Sequence, residues 1–153
     1  MNNKNTDLFL RHAASKLVFR AKHSTAAIKK LAQEVFDAAR AVDGLTLLVV
    51  NTVQRAFDLH SEIANLTSRE AAELSPVLIH SRFRPGDRRK RLAELLTRDS
   101  RKGIVVSTQV VEAGVDVSAQ VLFSEIAPWT SLVQRFGRCN RRAEHAKNGL
   151  EKG

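Results

Sequence analysis

From Ile28 onward the chain alternates between two hydrophobic rhythms. Ile28, Leu31, Ala32, Val35, Phe36, Ala39 and Val42 follow Thr25 at three- to four-residue spacing and predict an amphipathic helix that Asp43-Gly44 stops. Thr46-Leu47-Leu48-Val49-Val50 is then continuously apolar apart from its threonine, the pattern of a strand buried on both faces of a parallel sheet. Asn51-Thr52 ends it and can cap a second helix, whose predicted inner face is Val53, Ala56, Phe57, Ile63 and Ala64. The alternation continues with a strand over 77–80, a loop over 81–86, a basic helix over 87–96 and strands over 103–107 and 121–125. Upstream, residues 16–20 suit a first strand, and residues 1–15 read as an extension or linker. Pro128 and Trp129 fall in a loop. Ser131 followed by Gln134 reads as a capping box opening a last helix, with Leu132 and Phe136 turned to the core. The tail, 143–153, is polar. Repeated β-α units predict an α/β fold, a parallel sheet with helices on both faces.

Composition narrows the partners. At 153 residues, 43% hydrophobic and 27% charged, the chain has material for one globular domain and is not of the disordered class. No apolar run approaches the roughly 20 residues of a membrane span. The start is polar, without a signal-peptide core, and the lone Cys139 fits a reducing compartment, so a cytoplasmic protein without membrane contact is expected. A formal charge of +9 favours a polyanionic partner, although a fragment separated from an acidic segment has the same balance. Aromatic residues make up only 5%, so stacking platforms for bases are scarce. His12, His23, His60, His80 and His145 are scattered and suggest no metal site.

The densest charge lies near the end. Gln134-Arg135-Phe136-Gly137-Arg138-Cys139-Asn140-Arg141-Arg142 places four arginines in nine residues. On the predicted helix Arg138 and Arg141 fall at i, i+3, away from Leu132 and Phe136. Like charges so stacked cost about 0.2–0.5 kcal/mol per pair, and Gly137 inside the turn costs about 1 kcal/mol against Ala. A surface serving only solubility needs neither. Two planar guanidiniums one turn apart suit an anion with several oxygens, such as a phosphate chain. On these nine residues alone, a basic helix lying on nucleic acid or a plain solvated face stays open.

The segment ahead, Ser107-Thr108-Gln109-Val110-Val111-Glu112-Ala113-Gly114-Val115-Asp116, follows an apolar run. The two stretches together resemble motifs V and VI of superfamily 2 helicases. The pairing of S-T-Q-V-V-E-A-G-V-D with Q-R-F-G-R-C-N-R is most similar to the CRISPR-associated helicase–nuclease family of type I systems. The resemblance implies a three-layer RecA-like, P-loop NTPase-type sheet over residues 16–142, the C-terminal helicase domain. It implies ATP bound in a cleft against a first RecA-like domain, with Arg138 and Arg141 as arginine fingers and Gln134 beside them. Gly114 and Asp116 belong on the nucleotide side, Asp116 near the ribose; Glu112 orients arginines or is a solvated carboxylate. ATP and Mg2+ are then held mainly by the first domain.

Phosphates gather where a strand ends and a helix begins, because free backbone N–H groups point there. Asn51-Thr52, His80-Ser81-Arg82 and Thr108-Gln109 occupy that edge and put small hydroxyls or amides beside the backbone, suited to a sugar-phosphate chain rather than to bases. In the resembled family such positions track a single strand of DNA, which assigns Thr52, Ser81, Arg82, Thr108 and Gln109. Arg88 joins them through the pattern H-S-R-F-x-x-x-D-R; Arg84, Arg89, Lys90 and Arg91 supply background field. Without the resemblance, Thr52 and Ser81 read as turn or capping residues. An RNA-guided surveillance complex as a further partner, in CRISPR interference, is implied in the same way.

Neither a G-x-x-x-x-G-K-[ST] loop nor an acidic D-E-x-[DH] box is present in the sequence, and the family's metal-dependent nuclease has no counterpart. The expectation is a second RecA-like domain, shortened after motif VI and inactive on ATP by itself. The rival readings are a non-enzymatic nucleic-acid-binding module and a fragment of another superfamily 2 DNA or RNA helicase.

Overall fold

The computed structural model describes residues 26–96, 102–111 and 117–141. Strands β1 (Leu45–Val49), β2 (Val77–Ile79), β3 (Gly103–Ser107) and β4 (Val121–Ser124) form one sheet in the order β2-β3-β1-β4. Every pairing is parallel. Connecting helices are α1 (Ile28–Ala41), α2 (Val53–Glu70), α3 (Pro85–Leu96) and α4 (Trp129–Phe136), with short 3-10 turns at Ala72–Leu74 and Gln109–Val111. The strand predictions at 77–80, 103–107 and 121–125 hold to within a residue. The predicted strand over 16–20, the extension before it and the tail over 143–153 lie outside the described residues.

Two apolar layers sandwich the sheet. On one face Leu48, Val50, Leu78, Ile104 and Val106 meet Leu31, Val35 and Phe36 of α1 and Ala56, Leu59 and Ile63 of α2. On the other, Leu45, Leu47, Val49, Ile79 and Val105 pack with Val111, Val117 and Ala119. Burying one such aliphatic or aromatic side chain contributes about 1.5–3 kcal/mol against leaving it exposed.

The α1 periodicity is realised as predicted, with Leu31, Ala32, Val35, Phe36 and Ala39 buried. In α2 the buried stripe is Ala56, Leu59, Ile63 and Thr67, whereas Phe57 is 55% exposed. Phe57 follows Ala56 and sits about 100° around the helix from it, so hydrophobicity at that position does not bring it inward. Helix α3 starts two residues ahead of the prediction, at Pro85, whose fixed φ and missing N–H suit a first helical position.

Parallel pairing has a functional consequence. All four carboxyl ends lie on one edge, and the register sets Val49 beside both Ser107 and Ser124, with Ile79 beside Ser107. The segments after these strands therefore meet along one rim.

Candidate functional site

Along that rim the sequence-assigned residues divide by exposure. Thr52 is exposed and also caps α2, its Oγ1 accepting from the Arg55 N–H at 3.3 Å. Gln109 is exposed and donates from Nε2 to the Asn51 carbonyl at 3.1 Å. Thr108 is buried; its N–H donates to the Ile79 carbonyl at 3.2 Å, and its hydroxyl has no hydrogen-bond partner among the described residues. Ser81 and Arg82 are exposed, and Arg88 is half-buried on α3.

The loop carrying Ser81 and Arg82 is fixed by its aromatic neighbours. The His80 ring stacks on Phe83 at 4.1 Å, and the Arg91 guanidinium lies 4.4 Å from the Phe83 ring centre. The Arg82 N–H donates to His80 Nδ1 at 3.2 Å. Burial, then the charges of Arg82 and Arg91, push the His80 imidazole below its ordinary value. A neutral ring keeps Nδ1 free to accept, so the charge balance and the loop geometry agree.

The arginine cluster departs from its prediction. Helix α4 begins at Trp129 with Pro128 at its cap and no side-chain capping bond, so the Ser131–Gln134 capping box does not form. The helix ends at Phe136, and Gly137 is its cap, with its N–H directed to the Arg135 and Val133 carbonyls. Gly137 therefore carries no mid-helix penalty, and Arg138 and Arg141 do not share a helical face. They belong to a turn held by the backbone. The Arg138 N–H donates to the Arg135 carbonyl at 2.9 Å, Ala119 N–H to the Arg138 carbonyl at 2.8 Å and Asn140 N–H to the Ala119 carbonyl at 2.7 Å. Arg141 N–H donates to Ser118 Oγ at 3.0 Å. Asn140 adopts φ 46°, a left-handed conformation that asparagine tolerates better than most residues.

The residue of α4 that turns inward is Arg135, fully buried, while Leu132 and Phe136 are half-buried. Its Nη1 donates to Ser124 Oγ at 3.2 Å and to the Glu125 carbonyl at 3.0 Å, and its Nη2 to Asn51 Oδ1 at 3.0 Å. Asn51 in turn donates from Nδ2 to the Ile126 carbonyl at 2.8 Å and from its backbone N–H to Glu125 Oε2 at 2.6 Å. The other Glu125 oxygen receives Arg55 Nη1. Sequence reasoning missed Arg135 and Glu125, because charged residues are ordinarily assigned to surface. The usable signal was a lone arginine on the apolar side of α4, next to Phe136, with strand-end acceptors available.

Gln134 is exposed on α4, and Arg138 and Arg141 are half-buried beside it in the chain. Gly114, Asp116, Glu112 and Arg142 lie outside the described residues. Among the described residues no group of three or more His, Cys, Asp or Glu side chains is placed to hold a metal ion. Cys139 is half-buried with Sγ 3.9 Å from the Gln120 carbonyl, a packing position. Ile126 and Trp129 are 88% and 73% exposed, and Val133 shares the Trp129 side of α4 one turn on. No described helix is long and apolar enough to cross a membrane.

The family model for the C-terminal part of the CRISPR-associated nuclease/helicase Cas3 matches residues 42–144. The chain is 36% identical over 103 residues to the CRISPR-associated nuclease/helicase Cas3 of Haloferax volcanii, covering 66% of this chain and 11% of that protein. It is 40% identical over 103 residues to a putative counterpart in Myxococcus xanthus, covering 65% of this chain and 13% of that one. The solved structure of T. fusca Cas3-ATP matches with a TM-score of 0.62 at 26% identity, covering 82% of this chain and 15% of the other. The chain thus spans a small fraction of the length of its relatives.

Proposed function

The chain belongs to the CRISPR-associated nuclease/helicase Cas3 family, within the C-terminal region of those proteins, and from that premise we propose that it is the second RecA-like half of an ATP-dependent DNA helicase or translocase acting in CRISPR interference. The observation that carries this reading is the seating of the Arg138–Arg141 turn. Four backbone and hydroxyl contacts fix it against residues 118, 119 and 135, at the end of the helix that leaves the strand-end rim. A basic patch serving only charge has no use for such a mount; fingers that must meet developing phosphate charge do.

In this reading a first RecA-like domain, in the same chain or another, closes over the rim, and Arg138 and Arg141 present guanidiniums to the γ-phosphate with Gln134, Gly114 and Asp116 on the nucleotide side. ATP supplies the phosphoryl group, and the first domain holds most of it together with Mg2+. The relative described as Cas3-ATP supports nucleotide as the ligand. Arginine fingers in nucleotide hydrolases contribute roughly 10³–10⁵ in rate. Thr52, Ser81, Arg82, Arg88 and Gln109 contact single-stranded DNA along the rim; Thr108, buried, supports them by tying the end of β3 to β2 through its N–H to the Ile79 carbonyl. The exposed Ile126, Trp129 and Val133 form an apolar strip that a companion domain would cover. An RNA-guided surveillance complex delivers the target.

The test is ATP turnover of this chain mixed with a first domain of the family, with and without single-stranded DNA. Turnover that appears only in the mixture supports the reading. Single-strand binding with no turnover in any mixture favours the nucleic-acid-binding module instead.

A further inference from the structure

We infer that Arg135 is a positioning residue, and that the Gln109–Asn51–Arg135 hydrogen-bond chain transmits occupation of the single-strand rim to the turn carrying Arg138 and Arg141. This inference rests on the proposed single-strand contacts of the rim.

The chain of contacts is short and continuous. Gln109 Nε2 donates to the Asn51 carbonyl at 3.1 Å, Asn51 Oδ1 accepts from Arg135 Nη2 at 3.0 Å, and the Arg135 carbonyl accepts from the Arg138 N–H at 2.9 Å. From there the Arg138 carbonyl accepts from Ala119, whose own carbonyl accepts from Asn140. Rim and turn are thus joined through one side chain that is fully buried. Burying a guanidinium is costly, and apolar replacements of such groups often match or exceed their stability. Packing alone is therefore a poor account of an arginine here. Its planar fork does what an apolar side chain cannot: it ties the β4 end, through Ser124 and Glu125, to the β1 end, through Asn51, in one rigid geometry.

Asn51 is placed to move when the rim is occupied. It directly precedes Thr52, it receives Gln109, and its other contacts run to Glu125 and Ile126 on the segment leading into α4. A sugar-phosphate chain that draws Thr52 or Gln109 toward itself shifts the acceptor of Arg135, and Arg135 begins the finger turn. Couplings between sites in proteins are typically about 5–150-fold.

Hydrogen exchange on the 153-residue chain reads this directly. The probe is a mixed-sequence single-stranded DNA oligonucleotide, with amide exchange followed at Ala119, Arg138 and Asn140. In the native chain, saturating oligonucleotide is expected to change exchange at these amides at least about 5-fold, the lower end of such couplings. In Arg135→Lys, which keeps the charge and loses the fork, that response disappears while stable secondary structure remains. Should Arg135→Lys fail to fold, Asn51→Ala, which removes the acceptor of Arg135 Nη2, serves in its place and weakens the response. A merely structural Arg135 alters exchange equally with and without DNA. Oligonucleotide binding without any response at the three amides in the native chain, or an undiminished response in the variant, overturns the relay and leaves the proposed function standing. Absence of oligonucleotide binding overturns both.

Discussion

Removing the Arg135 side chain leaves Asn51 Oδ1, Ser124 Oγ and the Glu125 carbonyl each without its guanidinium donor. Hydrogen bonds to a charged group contribute about 1.5–3 kcal/mol each, so Arg135→Ala is expected to lose at least about 3 kcal/mol. At about 2–4 °C per kcal/mol for a chain of this size, Tm falls by roughly 6–12 °C, readable by calorimetry. Little change in Tm would mean that the buried fork is dispensable. Asn140 gives a second residue-level test. Its φ of 46° suits Gly and Asn, so Asn140→Gly is expected to fold normally, whereas Asn140→Val strains the backbone by about 1–3 kcal/mol. Equal stability of the two variants in denaturant titration would contradict the turn geometry.

At the scale of elements, the helical periodicity of α1 and the unbroken strand runs were legible because burial repeats at the periods of the backbone itself. The end of α4 was not. Gly137 caps the helix, a weak stop by itself, and the turn after it is set by Ala119 and Ser118, distant in sequence, which capture the backbone of Arg138, Asn140 and Arg141. Long-range capture of this kind leaves no local trace. That the segments after the strands meet along one rim was legible, since parallel pairing follows from β-α alternation, yet the burial of Thr108 and Arg135 depends on packing between segments. On α2, half-buried His60 donates from Nε2 to the Pro76 carbonyl, 3.2 Å away, and burial, the largest cause, holds its imidazole below the usual 6.5. The unfolded chain therefore takes up the proton first. Stability is full above about pH 6.5 and declines as pH falls below that value. Thermal scans from pH 7.5 downward should show the decline, and His60→Gln should flatten it; an equal slope in the variant would assign the acid sensitivity elsewhere.

For the whole molecule, a formal charge of +9 and a rim of hydroxyl, amide and guanidinium side chains predict sequence-independent single-strand binding that weakens steeply with salt as counterions are released. Salt-insensitive titrations would remove the phosphate contacts from the account. The central claim is that the Arg138–Arg141 turn completes a nucleotide site shared with a first domain. Single-strand-stimulated ATP turnover in the assembled pair tests it most directly, comparing Arg138→Ala and Arg141→Ala with Lys90→Ala, an exposed charge on α3. The finger variants are expected to lower kcat by at least roughly 10²–10³, the scale of losing one transition-state donor, while DNA affinity holds and Lys90→Ala keeps its full rate. Finger variants that keep kcat and weaken only DNA binding, as any surface cation would, contradict it.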